Sequence, residues 1–124
     1  MRIPEKMLEV LSHEGVVAIA THGDGGLHLV NTWHSYVQVT GDGRLLYPAG
    51  GMNATEFNIE KDNSVLLTVG SREVEGHRGV GAGFLISGSV AFLKDGPDFA
   101  AIKQRFPWAR AAVEITVKSV TQTL

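Results

Sequence analysis

The sequence predicts a mainly β fold: a closed or partly split antiparallel barrel of six strands, with two or three short helices. Three observations carry this. Fifteen glycines in 124 residues fall between short apolar runs, a spacing that marks many turns. Alternation is sharpest in RAAVEITVKSVTQTL, where Val113, Ile115 and Val117 share one face and Glu114, Thr116 and Lys118 the other. Long strand–helix–strand alternation is absent, which argues against a doubly wound sheet.

Each element follows in order. Pro4 suits a first helical turn, where its missing N–H costs nothing. Met7, Leu8 and Leu11 then supply an apolar face, and Gly15 a stop. VVAIATHG reads as a strand and Asp24-Gly25-Gly26 as a tight hairpin. The partner strand is expected to start near Leu27 and to run on through LHLVNTWHSYVQV. Gly41-Asp42-Gly43 is a second turn, and RLLYPAG a third strand that Pro48 ends or confines to an edge. Asn53 followed by Glu56 forms the pattern of a capping box, with Phe57 and Ile59 expected inside. SVLLTVGS is the fourth strand, REVEGHRGVGAG a loop, FLISGSVAFLKD the fifth strand. Asp95-Gly96-Pro97 opens a last short helix, closed by Pro107.

Composition narrows the function. A chain of 124 residues is one domain, here taken as 1–124. With 44% apolar and 19% charged residues it resembles an ordinary globular protein. A net charge of -2 gives no basic field for nucleic acid. Apolar runs such as GVVAIA are too short to span a bilayer, and the acidic N-terminus does not resemble a signal peptide. Lacking cysteine, the chain has no disulfide framework or thiolate site, and a reducing cytoplasm is the expected compartment.

Two stretches are candidates for chemistry. In YPAGGMNATEF, two glycines precede a helix start, where unsatisfied N–H groups favour an anion. Asn53 and Thr55 could add hydrogen bonds, although every helix needs a cap and glycines serve ordinary turns. In Asn31-Thr32-Trp33-His34-Ser35-Tyr36, amide and hydroxyl groups stand beside aromatics, a mixture suited to a planar heteroaromatic ligand. A half-exposed strand with aromatic pairs explains the same residues. His28 and His34 share a strand but stand about 20 Å apart, and neither HxH nor HExxH occurs. Ser71 and Ser87 lack a GxSxG setting, so no catalytic residue is assigned, and GVGAG at 79–83 lacks the full dinucleotide motif.

Together, EGVVAIAT, LVNTW, the Pro-x-Gly-Gly-Met loop, DGP, WARAA and the terminal TQTL resemble the small FMN-binding proteins of sulfate-reducing bacteria. These belong to the split-barrel superfamily that includes pyridoxamine-phosphate oxidases and flavin reductases. The resemblance covers nearly the whole chain. It implies a six-stranded Greek-key split barrel that holds FMN noncovalently near a homodimer interface. Carried over by position, Asn31 and Thr32 contact the cofactor. Pro48, Ala49, Gly50 and Gly51 line the ring and ribityl side, and Asn53 and Thr55 serve the phosphate. Trp33, Tyr36 and Trp108 stand near the isoalloxazine, Ser35 is among the cofactor-binding residues, Leu124 reaches the flavin from the other subunit, and the charge of Glu14 is felt at the ring.

The chain departs from that pattern at Ala54, where the family has Lys. A lost charge-assisted bond is worth roughly 1.5–3 kcal/mol, on the order of ten- to a hundredfold in affinity. Arg72, His77 or Arg78 on the glycine-rich segment would be the substitutes. The expected function is electron transfer, with a second copy of the chain and a redox protein as partners. A flavin reductase or oxidase-like enzyme, or a split barrel with another ligand, are the alternatives.

Overall fold

The computed structural model describes residues 2–124. Seven antiparallel strands form one sheet, ordered β2-β1-β5-β6-β7-β4-β3, and three short helices cover its ends and one flank. In chain order these are α1 (Glu5–Leu11), β1 (Val16–Gly23), β2 (Gly26–Trp33), β3 (Gln38–Val39) and β4 (Leu45–Ala49), followed by α2 (Asn53–Ile59), β5 (Ser64–Gly76), β6 (Gly79–Leu93), α3 (Gly96–Arg105) and β7 (Ala111–Gln122). The sheet coils into a split barrel. Its two margins, β2 and β3, are consecutive in sequence and joined by a 3-10 turn at His34–Tyr36.

That turn accounts for the seventh strand. The run expected as one strand from Leu27 to Val39 breaks at His34, because its imidazole is drawn inward. Its Nδ1–H donates to the His13 carbonyl at 2.6 Å, and its backbone N–H donates to the Gly15 carbonyl at 2.9 Å. Gly15 makes room for the ring: a Cβ there would lie 2.8 Å from His34 Cε1. After the turn the chain pairs with β4 at Leu45 and Leu46 alone. Pro48 lies beyond that short pairing, on a locally free margin of β4, while its other side faces Ala112 of β7.

Alternation places the core as expected along β7, where Val113, Ile115 and Val117 are buried between exposed Thr116 and Lys118. Val17 and Ile19 of β1, Leu67 and Val69 of β5, and Phe84 and Ile86 of β6 meet them inside the barrel. Helix α1 plugs one end with Met7 and Val10; Leu8, expected on that face, is exposed. A second cluster under α3 gathers Ile102, Phe106, Ala109, Leu46 and Ala112.

Two further expectations are corrected. The glycine-rich segment is a hairpin rather than a loop: Glu75 pairs with Val80 and Gly76 with Gly79, beyond an irregularity between Ser71 and Glu75. Ladder hydrogen bonds to a neighbouring strand outweigh glycine's low strand preference. Phe57 is 56% exposed rather than inside; α2 turns Thr55 inward instead. Among the described residues, no helix is long and apolar enough to cross a membrane.

Candidate functional site

The site forms between the end of β2, with the 3-10 turn that follows it, and the end of β4. Strand β2 ends with Thr32 buried and with Asn31 and Trp33 on the exposed face. The 3-10 turn follows, and its geometry is fixed from outside the barrel by Glu14. That carboxylate accepts the backbone N–H groups of Gly15 and Ser35, each at 3.1 Å, and the Ser35 hydroxyl at 2.5 Å. The Ser35 hydroxyl, then the Ser35 amide, hold the Glu14 carboxyl below its usual range. Ser35 is thereby committed to Glu14, while Tyr36 swings toward the aromatics after α3.

Strand β4 delivers the other wall. It ends at Ala49, and Gly50 and Gly51 lead into Met52, whose φ of 60° and ψ of 33° are left-handed. Such a conformation is uncommon for a side chain other than Gly, Asn or Asp. Met52, not Asn53, occupies the cap position, and no side chain caps the helix. The expected capping box does not form. Glu56 instead reaches outward to Arg110 and Lys94, both at 2.8 Å. Lys94 first, and Arg110 with it, depress the Glu56 carboxyl.

Thr55 is 1% exposed, and its hydroxyl has no hydrogen-bond partner. A buried hydroxyl left unpaired costs free energy, so this atom calls for an acceptor or donor that the folded chain does not itself supply.

Above Gly50 stands the Trp108 ring. A Cβ at Gly50 would lie 3.1 Å from Trp108 Cε3, so the absence of a side chain permits this contact. Trp108 packs against Tyr36 with centroids 5.8 Å apart and against Phe106 at 5.6 Å; Tyr36 and Phe106 are 5.0 Å apart. These separations suit tilted and edge-on aromatic pairs. Trp108 is nevertheless 52% exposed.

Most of the residues singled out in the sequence meet here. Asn31, Thr32 and Trp33 of β2 and Tyr36 of the turn line an open groove of about 310 Å³ with Pro48 of β4, Gly50 and Gly51 after it, and Trp108 before β7. Met52 joins them, unforeseen because nothing local announces a left-handed methionine. Ala49 is fully buried behind the groove, and its carbonyl accepts the Arg110 N–H at 2.9 Å. Asn53 opens α2 on its exposed side.

Leu124 is not in this groove. It lies against Gly83 and lines a separate hollow of about 670 Å³ with Arg72, His77 and Arg78. Within one chain the hairpin cations line that separate hollow; the cation that bonds the glycine loop is Arg110, which shares Glu56 with Lys94, neither singled out from sequence.

Comparison with known proteins identifies the family. The profile of the pyridoxamine 5'-phosphate oxidase family matches residues 3–124. The FMN-binding protein of Nitratidesulfovibrio vulgaris (strain Miyazaki F) is 57% identical over 122 residues, which is 98% of this chain and 99% of that one. Among solved structures, HupZ of Group A Streptococcus superposes with a TM-score of 0.81 at 16% identity, over 98% of this chain and 94% of that one. An FMN-binding protein from Syntrophomonas wolfei superposes with a TM-score of 0.72 at 14% identity, over 97% and 85% respectively. At such identities the structural likeness concerns the fold alone.

Proposed function

Because the chain belongs to the pyridoxamine 5'-phosphate oxidase family, we propose that it is an FMN-binding flavoprotein that works as a small electron carrier in a homodimer. The observation that carries this reading is the convergence of the 31–36 and 48–52 segments on one groove beside Trp108. The 57% identical relative is named for binding FMN, and the residues present fit that cofactor. Asn31 and Thr32 offer polar groups to ring edges. Pro48, Gly50 and Trp108 offer flat apolar surface to a ring face. Thr55, with its unpartnered hydroxyl, offers a donor to the phosphate.

Bound flavin would supply one- and two-electron chemistry; the protein sets access and electrostatics around it. Glu14 holds its negative charge at the outer end of the turn that carries Tyr36. Among the described residues the groove lining contains no Lys, Arg or His, which disfavours a substrate bearing a second phosphate and favours a carrier over an oxidase.

The groove is open and small for a ligand site, which typically measures roughly 300–1,000 Å³. A second copy would complete it. The outer face of β1, β2 and β5 supports that assembly, because Val16, Leu29, Trp33 and Leu66 are 46–69% exposed on it. Val16 pairs with Trp33, and Ala20 stands between Leu29 and Leu66. Exposed apolar patches of this kind mark interfaces, and this one runs through Trp33 into the groove.

An absorbance spectrum of the purified protein, followed by titration with FMN and riboflavin, tests the reading. A bound-flavin spectrum with reversible chemical reduction and no bleaching by NADH is expected. Rapid bleaching by NADH would show a reductase instead, and a colourless protein that takes up neither flavin would overturn the proposal.

A further inference from the structure

Ala54 leaves the glycine loop without a cation of its own, yet the loop is held by one from behind. Arg110 Nε and Nη2 donate to the Gly51 carbonyl at 2.9 and 2.7 Å, and its Nη1 donates to Glu56 Oε1 at 2.8 Å. Glu56 Oε2 pairs with Lys94 Nζ, also at 2.8 Å. The guanidinium is further confined by the Phe92 ring, 5.7 Å from its centroid. Each side-chain nitrogen of Arg110 thus has a partner within the chain, and three of its five N–H groups are engaged in holding the loop and Glu56.

Two consequences follow from the geometry. The Gly51–Met52 peptide is planar and trans, so its carbonyl and its N–H point in opposite directions. Arg110 holds the carbonyl, which turns the Met52 N–H away from Arg110. Secondly, Glu56 adjoins Thr55 on α2, so the same guanidinium anchors the helical turn that carries the buried, unpartnered Thr55 hydroxyl. Two donors, one of the main chain and one of a side chain, are therefore fixed by a single fork of hydrogen bonds. Two cations share one carboxylate, which leaves the support with a net positive charge.

We propose that Arg110 is a positioning residue for the phosphate grip of this site: by holding the Gly51 carbonyl and, through Glu56, the turn bearing Thr55, it aims the donors that meet the phosphate in place of a loop lysine. The inference rests on the FMN reading above. Planarity is the point of using arginine. The fork reaches Gly51 and Glu56 together, which a lysine ammonium on a flexible stem does not reproduce.

The test compares FMN with riboflavin, which differ only in the phosphate, on the wild type, Arg110→Gln and Arg110→Lys, with circular dichroism to check folding. Wild type preferring FMN, and both variants losing about tenfold in FMN affinity with riboflavin affinity unchanged, is the expected result. Arg110→Lys keeps the charge, and it decides the matter alone if Arg110→Gln does not fold.

Equal loss of both flavins would show that Arg110 merely supports the fold, and unchanged FMN preference in the variants would show that it has no part in the grip; either overturns the inference while leaving the flavoprotein intact. So would a wild type that binds the two flavins equally. A wild type that binds neither would remove the FMN reading and this inference together.

Discussion

Replacing Thr55 by Val should strengthen the empty protein and weaken its hold on FMN. The two side chains have nearly the same shape and are both β-branched, so helical propensity and packing change little. What changes is one hydroxyl, 1% exposed and without a partner. An unsatisfied buried group of this kind costs about 1–3 kcal/mol, and removing it should return about that much. At this chain length that corresponds to roughly 4 °C in melting temperature per kcal/mol. Toward a phosphate the sign reverses, because a hydrogen bond to a charged group is worth about 1.5–3 kcal/mol, on the order of ten- to a hundredfold in Kd. Urea unfolding of the flavin-free variant should show a higher midpoint at unchanged slope. Quenching of flavin fluorescence on titration should show weaker FMN binding and unaltered riboflavin binding. A Thr55→Val protein that is no more stable than wild type would mean that the hydroxyl is already satisfied. Unchanged FMN affinity would mean that it does not face the phosphate.

Other substitutions probe the surrounding structure. Gly50→Ala puts a Cβ 3.1 Å from the half-exposed Trp108 ring; the ring should swing aside with little loss of stability, shifting tryptophan fluorescence and weakening flavin binding severalfold. An unaltered spectrum and Kd would contradict that packing. Gly88→Ala places a Cβ 2.3 Å from the Thr116 carbonyl oxygen, beside the register shift between Ser87 and Gly88. Backbone cannot yield there as a side chain can, so about 3 kcal/mol should be lost, and denaturant unfolding showing a loss below about 0.5 kcal/mol would refute it. Ser35→Ala removes the leading cause of the depressed Glu14 pKa. Because a depressed carboxyl contributes stability above its unfolded pKa and loses it as pH falls through the folded one, the variant should show less acid sensitivity below the ordinary value of 4.5. An NMR titration in which Glu14 does not move upward would disprove the assignment. Leu29→Asp, at a residue 69% exposed on the outer sheet face, should give a folded monomer by sedimentation, and an unchanged dimer would place the interface elsewhere.

How much of this was legible in the sequence depended on how local the deciding interaction was. The alternation in β7 and the turn at Asp24–Gly26 are written in adjacent residues, and both appear where expected. The break at His34 is not, because His-Ser-Tyr fits a strand as well as a turn; it is settled by the His13 and Gly15 carbonyls, about twenty residues upstream. Likewise the segment 72–83 reads as a loop by its glycines and as a hairpin by its cross-strand partners. At the site, the contributing segments were recognised by residue type and by family resemblance. The supports were not. Arg110 lies 59 positions from Gly51 and 54 from Glu56, and no spacing within WARAA announces either contact.

The three-residue link at His34–Tyr36 bears on how this architecture can vary. It carries the chain from one margin of the sheet to the other, so it acts as a covalent clasp on a seam that the sheet's hydrogen bonds do not close. Lengthening it would loosen Tyr36 and the end of β2, which form one wall of the ligand groove. The His77–Arg78 tip, between β5 and β6 in the interior of the sheet order, can grow without touching either margin. Descendants of this fold that acquire extra segments should therefore carry them at the hairpin tip, and keep the clasp short.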